Sequence, residues 1–221
     1  ALRKLRDNKD EQGYSTELWN KIVNEQGWSG IAIEEEFGGL DFGLLGLGVI
    51  FEEAGKTLAA SPLFSAIVLG ASTIQLLGSQ AQKEQLLPEI IGGELRFALA
   101  LEEGPRHSPY NIQTTATKTA NGFVLYGKKT FVIDGSNANK LLVVARSDSN
   151  SQGAEGISVF MVDTNAQGVN IDFTLLMDSR NAANISFDNV EVGQDALVGE
   201  LNQAYPALDD VLDRGRAILA A

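Results

Sequence analysis

The sequence predicts a multidomain α+β protein: an N-terminal α-helical domain, an antiparallel β-barrel or sandwich domain, and the start of a further helical unit. Three observations carry this. Apolar residues recur at helical spacing as far as about Gly93. From Arg96 the pattern changes to short β-branched and aromatic runs punctuated by turn residues. From Tyr205 the helical period resumes. Helices, then strands, then a helix are segregated along the chain, unlike alternating βαβ units. The expected domains are 1–95, 96–204 and 205–221.

In the first part, Thr16 to Gln26 reads as a short amphipathic helix with Leu18, Trp19, Ile22 and Val23 on one side. Gly38-Gly39 breaks the pattern. Leu47, Ile50, Phe51, Ala54 and Leu58 then recur at helical spacing with Glu52 and Glu53 turned away. Ser61-Pro62 predicts an N-cap followed by proline at the first helical position, and Gly78 ends that helix. Ser79 to Gln82 is a capping-box pattern opening the next helix, which Gly92-Gly93 stops.

The strands follow. Phe97 to Leu101 is the first. Thr114 to Thr119 and Phe123 to Tyr126 flank Asn121-Gly122, a hairpin signal because both central positions of a type I′ turn need positive φ. Lys128 to Gly135 predicts a third strand, fed by that hairpin and ending at a polar loop. Lys140 to Ala145, Gly156 to Val162, Val169 to Leu175 and Asn184 to Val192 complete the set, with turns at Asn165 to Gly168 and Gln194-Asp195. In the final helix Leu208, Val211 and Leu212 precede Leu219.

The 221 residues are 44% hydrophobic, enough to bury a core. Seventeen basic against 29 acidic residues give a net charge of -12, which argues against nucleic acid and against an anionic membrane surface as partners. The absence of cysteine excludes disulfides, zinc thiolate sites and cysteine nucleophiles within these residues, and is compatible with the cytoplasm. No apolar run has the length of a transmembrane helix, so no membrane insertion is expected. The opening Ala1 to Asp7 has neither a signal peptide's apolar core nor an initiator Met, and the closing Arg214 to Ala221 is helix-like without a cap. The sequence is therefore expected to be a fragment.

Several motifs are weighed and set aside. Gly46-Leu-Gly48 lacks the preceding strand and third glycine of a dinucleotide fingerprint. The sequon Asn184-Ile-Ser186 lies in a predicted strand. His107, the one histidine, sits in the loop Gly104 to Pro109 and is expected to be solvated, since a metal site or triad needs partners nearby. No metal is expected. Neighbours in Glu34 to Glu36, Glu52-Glu53 and Glu102-Glu103 point to different sides and cannot act together on one bond. Glu102-Glu103 stands apart because it follows an apolar strand and precedes a Gly-Pro loop.

Taken together, the segments resemble the acyl-CoA dehydrogenase family over essentially the whole chain. Gly27 to Leu40 is similar to that family's G-W-x-G-x-x-x-P-E-E-Y-G-G-L. Leu77 to Lys83, Leu87-Pro88 and Gly93-Glu94 match G-S-x-x-Q-K…L-P-x-x-x-x-G-E. Leu99 to Glu103 corresponds to x-A-L-T-E, and Gly127 to Gly135 to G-x-K-x-W-I-T-N-G. Asp188 to Val192 resembles F-D-x-V-x-V, and Leu212 to Ala217 resembles the opening of the helix after the β domain.

The resemblance implies a C-terminal four-helix bundle, of which only the first helix is present, and FAD lying against the β domain. It implies an acyl-CoA substrate, electron-transferring flavoprotein as electron acceptor, and a homo- or hetero-tetramer when intact. A glutamate removes an α-proton while the β-hydrogen passes as hydride to flavin N5. Carried over by position, the cofactor-binding residues are Leu101, Glu102, Phe131, Val132 and Ile133, and the substrate-binding residues are Ser108, Asp213 and Arg216. No catalytic residue is assigned: the base belongs to the absent C-terminal domain, or to an alternative position occupied here by Gly215.

The sequence departs from the family pattern at the site itself. Glu102 replaces the threonine beside the glutamate, and Phe131-Val132-Ile133 replaces W-I-T, so neither Glu102 nor Ile133 offers the flavin a hydroxyl. Phe131 can stack as the tryptophan does, and Ile133 keeps its backbone N–H. Arg106-His-Ser-Pro109 stands where G-S-D is usual, with Ser108 as the equivalent serine. Met177-Asp-Ser-Arg180 resembles a variant from a bacterial branch, some of whose members are heteromeric enzymes with unequal subunits. The alternatives are therefore a non-catalytic or half-site subunit of a heteromeric enzyme, and an acyl-CoA oxidase or flavin monooxygenase relative.

Overall fold

The computed structural model describes Asp7, residues 13–176 and residues 180–221. The opening Ala1 to Arg6, and Met177 to Ser179 of the bacterial-branch motif, lie outside the described residues. Five helices and eight strands are named here in chain order: α1 (Thr16–Asn20, continued by the π turn Lys21–Glu25), α2 (Gly43–Thr57), α3 (π-helical Phe64–Ala71 then α-helical Ser72–Leu77), α4 (Gln80–Ile91), β1 (Phe97–Ala100), β2 (Thr115–Lys118), β3 (Gly122–Ile133), β4 (Lys140–Arg146), β5 (Ile157–Asp163), β6 (Val169–Leu175), β7 (Asn181–Gly193), β8 (Leu197–Val198) and α5 (Tyr205–Ala220). Among the described residues no helix is long and apolar enough to cross a membrane.

Local chemistry explains the helix boundaries. The Ser15 side chain accepts from the Leu18 N–H at the start of α1. Ser79 and Gln82 form a reciprocal capping box at the start of α4, satisfying two backbone donors that helix geometry leaves free. Ser61 does not cap α3: the helix begins beyond it, with no side-chain cap. Every residue from Phe64 to Ala71 is buried, so α3 is the helix around which the others pack. α5 lays Leu208, Val211, Gly215 and Ile218 against this layer. Leu58 and Leu219, which the periodicity places with the apolar faces, are instead exposed. Leu58 takes the left-handed conformation that terminates α2, which points its side chain away.

The strands form one sheet in the order β6-β7-β3-β2-β4-β5-β8, with β1 added parallel to β4. The other extended pairings are antiparallel. Strands β1 and β4 are buried on both faces, and their alternation sorts side chains between two cores. Leu99, Leu142 and Val144 face the helices. Ala98, Ala100, Leu141, Val143 and Ala145 face the other way, into a cluster shared with Phe123, Leu125, Val132, Ile185 and Phe187 of β3 and β7. The sheet thus curves until β3/β7 pack against β4/β5, as a barrel or sandwich does.

Two expectations about the hairpin are corrected. Asn121 and Gly122 do not have positive φ, so the turn is not type I′. Glycine is needed at 122 for a different reason: a Cβ there would run into the Val192 carbonyl oxygen across the sheet. The segment after Tyr126 is not a third strand either. β3 continues to Ile133 alongside the equally long β7, absorbing register shifts between Leu125 and Gly127 and between Lys129 and Val132. Gly127, at φ +151°, permits the first of these bulges. At the end of β3 the buried Asp134 accepts a 2.6 Å hydrogen bond from the Ser65 hydroxyl of α3, tying sheet to helices. Burial raises its carboxyl above the usual range, against the Ser65 hydrogen bond and the charge of Arg180.

This geometry separates the two turn residues experimentally. Gly122→Ala should lose about 1–3 kcal/mol through overpacking, whereas Asn121→Ala, at ordinary φ, should change stability by less than about 0.5 kcal/mol. Urea unfolding midpoints of the two variants would check both values.

Candidate functional site

The site grows from the point where β1 leaves the sheet. Lys129 lies on β3 with nothing exposed, and an ammonium in that position needs compensation. Its Nζ donates to the Leu101 carbonyl at 3.0 Å and to Glu103 Oε1 at 2.6 Å. Glu103 also accepts from the backbone N–H of Gln113 at 2.6 Å and of Thr114 at 2.9 Å. Burial alone would raise the Glu103 carboxyl, but the Lys129 charge and the hydrogen bonds from Lys129 and Thr114 outweigh it and hold it below the usual range. Burial pushes Lys129 down to about 8, against the pull of Glu103 and, more weakly, Glu102. The pair fixes both ends of the loop from 104 to 112.

That loop forms one rim of a cleft of about 710 Å³. Residues 102–107 line one side, and Thr130 and Phe131 of β3, Thr174 of β6 and Ala182 and Asn184 of β7 line the other. Phe131 is 55% exposed and held at φ +52°, so its ring is a free apolar face set into the wall. Its N–H donates to Asn184 Oδ1 at 3.3 Å. A bulky residue at positive φ costs roughly 1–3 kcal/mol, which the surrounding pairing of β3 with β7 must offset. Far from the tip, Arg146 steadies the loop by donating to the carbonyls of Tyr110 at 3.3 Å and Ile112 at 3.1 Å.

The residues carried over by position fall into three groups. Glu102 and Phe131 line the cleft directly. Leu101 is buried behind it, Val132 points into the β core, and Ile133 packs against the helical core. Ser108, Asp213 and Arg216 are joined to it by hydrogen bonds. The Ser108 N–H donates to Glu102 Oε2 at 3.2 Å. Arg216 Nη1 donates to Asp213 Oδ1 at 2.5 Å, and Arg216 Nη2 meets His107 Nε2 at 3.1 Å. Gly215 is buried in the face of α5 that packs on α3.

Sequence reasoning missed two residues. His107 is not merely solvated: its Nδ1 lies 2.5 Å from Glu102 Oε1, so it bridges Glu102 to α5. No local signal could have revealed this, because Arg216 is 109 residues away. Lys129 gave no local signal either: Lys128 and Thr130 flank it, and only the fold shows which of the two adjacent lysines is buried and therefore needs a partner. Among the described residues no group of three or more acidic or histidine side chains is placed to hold a metal ion.

Comparison with known proteins gives a consistent result. Residues 2–94 match the family description "Acyl-CoA dehydrogenase, N-terminal domain", and residues 98–190 match "Acyl-CoA dehydrogenase, middle domain". The chain is 29% identical over 213 residues to acyl-CoA dehydrogenase FadE29 of Mycobacterium tuberculosis, covering 96% of this chain and 55% of that protein. It superposes on butyryl-CoA dehydrogenase from Megasphaera elsdenii with a TM-score of 0.83 and 26% identity, covering 96% of this chain and 58% of the other. The same TM-score of 0.83, with 26% identity and coverages of 98% and 56%, relates it to the ChsE4-ChsE5 complex from Mycobacterium tuberculosis. The chain spans a little over half the length of these proteins.

The ion pair makes two predictions. Lys129→Met should destabilise the fold by about 3–5 kcal/mol, because it strands Glu103, and adding Glu103→Gln should recover part of the loss in urea unfolding. The pH dependence has a definite sign. Between pH 8 and 10.5 the unfolded chain keeps a proton on Lys129 that the folded chain gives up, so this group adds stability as pH rises through that window. Wild type should therefore gain on Lys129→Met between pH 8 and 10.5, read as the difference between their unfolding free energies.

Proposed function

The chain belongs to the acyl-CoA dehydrogenase family, and from that premise we propose that it forms the flavin-facing part of an FAD-dependent enzyme that dehydrogenates an acyl-CoA thioester between its α and β carbons. One observation supports the reading: the exposed ring of Phe131 lines a cleft whose rim residue His107 contacts the Arg216–Asp213 pair of α5, distant in sequence. The residues present fit a flat heterocycle. Phe131 offers a stacking face, Thr130 and Thr174 offer hydroxyls, and Asn184 offers a side-chain amide. Glu102 accepts one hydrogen bond on each oxygen, from His107 and Ser108, which holds the rim and leaves lone pairs that would accept from an N–H on the heterocycle's edge.

FAD, when bound, supplies the hydride acceptor, and the protein's part is to bind and orient. Phe131, exposed in the wall, would stack against the flavin ring. Arg216, with its charge partly balanced by Asp213 and Asp209, would be the residue of α5 that meets the acyl-CoA. Removing the α-proton requires a base within hydrogen-bond reach. Gly215 cannot serve, so in this reading the base comes from a C-terminal helical domain of the whole protein. Electrons pass to an electron-transferring flavoprotein, and the assembly is a tetramer of like or unlike subunits in the cytoplasm.

A second reading is favoured by Gly215 itself. Glycine there supplies no side chain for the base, and it lies in the buried face of α5, where a Cβ would come within 3.2 Å of the Leu69 Cδ2 methyl. A subunit with glycine at that position would complete a heteromeric enzyme while its partner carries the base, and one of the similar structures is a two-component complex.

Both readings are tested on the full-length protein, prepared with FAD and any co-purifying subunit. The expected outcome is bound flavin whose visible absorbance is lost when an acyl-CoA thioester is added without oxygen. Phe131→Ala should weaken FAD retention by about two- to tenfold. Loss of absorbance only with a second subunit present would favour the half-site reading. Flavin-free protein, or flavin that no thioester bleaches, would sink both.

A further inference from the structure

The rim of the cleft holds a chain of polar contacts that the proposed chemistry does not use. Arg216 Nη1 donates to Asp213 Oδ1 and lies 3.8 Å from Asp209 Oδ1. Arg216 Nη2 sits 3.1 Å from His107 Nε2, and His107 Nδ1 sits 2.5 Å from Glu102 Oε1. The Ser108 N–H donates to the other Glu102 oxygen at 3.2 Å. A guanidinium has five donors and no acceptor, and an ionised carboxylate only accepts. His107 Nε2 must therefore accept from Arg216, and the ring's single proton must be on Nδ1, donated to Glu102. The alternative tautomer would set N–H against N–H at one end and a lone pair against a carboxylate at the other.

The loop around His107 is held unevenly. Its base is fixed by Glu103 and Arg146. Immediately past Glu103 the chain stands clear of its surroundings: a Cβ on Gly104 would meet nothing within 4 Å. The tip is tied down by the His107 and Ser108 contacts to Glu102, by Arg216, and by a long 3.4 Å hydrogen bond from Thr130 Oγ1 to the Gly104 carbonyl. His107 is the residue of 104–109 that hydrogen-bonds to α5, while Tyr110, nearer the base, packs edge-on against Tyr205 of α5 at 6.5 Å between ring centres.

We propose that His107 is a positioning residue that locks the 104–109 rim to α5 in a single proton arrangement, neutral with Nδ1–H, and that a second proton on Nε2 releases the rim by placing two donors face to face. Two side chains contact the ring, Glu102 on the β1 side and Arg216 on α5; Arg106 precedes it in the loop and Asp213 pairs with Arg216. Beyond Arg216 stand Asp209 and Tyr205, whose hydroxyl is raised by burial and by Asp209 against the charge of Arg216. The inference goes beyond the proposed chemistry and does not depend on what the cleft binds.

The ring can be read directly. His107 is the one histidine in the 221-residue sequence, and in the side-chain nitrogen NMR spectrum of the full-length protein its imidazole is identified as the signal lost in His107→Gln. The neutral ring is expected as Nδ1–H, and the Ser108 amide is expected to be protected from hydrogen exchange. As pH falls and the ring takes its second proton, protection of residues 104–109 should fall in step. Arg216→Met, altering a half-exposed side chain, leaves Glu102 to hold the Nδ1–H tautomer but removes the donor that faces Nε2. Ser108 protection should therefore drop about three- to tenfold and should no longer fall further as the ring takes its second proton, while Arg216→Lys keeps a donor and should restore both behaviours. A wild-type ring found mainly as Nε2–H, loop protection in Arg216→Met that falls with ring protonation as in wild type, or wild-type loop protection indifferent to ring protonation would each overturn the proposal. The wild-type spectrum decides even if a variant fails to fold.

Discussion

A fully buried ammonium cannot be left to itself, and the architecture around the cleft follows from that constraint. Lys129 is enclosed where β3 passes behind the exit of β1, so the chain must deliver a carboxylate and a carbonyl to the same spot. Delivering Glu103 there commits the next ten residues. Its second oxygen captures the backbone where β2 is about to begin, and the intervening segment must arch outward as the rim of the cleft. Removing two such charges from water is expensive, and the direct attraction returns that cost only when the remaining lone pairs and protons are also satisfied. Here they are: among the described residues no buried side-chain nitrogen or oxygen lacks a partner. The pair specifies geometry more than it adds stability.

The cleft combines a wall and a rim of different character. The wall is sheet, with Phe131 and Asn184 held by the paired β3 and β7. The rim is loop, fixed at its base and fastened at its tip by exposed polar contacts of the kind that cost little to break. Contacts differing in strength by this much give a binding site a stable face and an adjustable edge. Because the fastening runs through α5, the edge answers to whatever holds that helix in place.

Much of the fold was legible because its determinants are local. The Ser79 capping box depends on groups three residues apart, and the alternation in Lys140 to Ala145 is set by the strand's own period. The third-strand expectation failed because a glycine inside a strand pattern marks either an end or a bulge, and only the presence of β7 as a long partner decides which. Leu58 and Leu219 failed because periodicity identifies an apolar stripe without saying how far the neighbouring layer extends. The candidate site was half legible. Phe131 and Glu102 were found by position in a motif, while His107 waits on contacts from a helix that only the fold brings near.

Phe131 carries a longer consequence. Its backbone conformation is one that glycine or asparagine adopts with little penalty, so a sequence shaped only for thermal resilience would have drifted toward either. An aromatic ring in that place trades resilience for a surface. Attempts to harden this protein by idealising its backbone would begin at residue 131, and would erase the feature that makes the cleft a site.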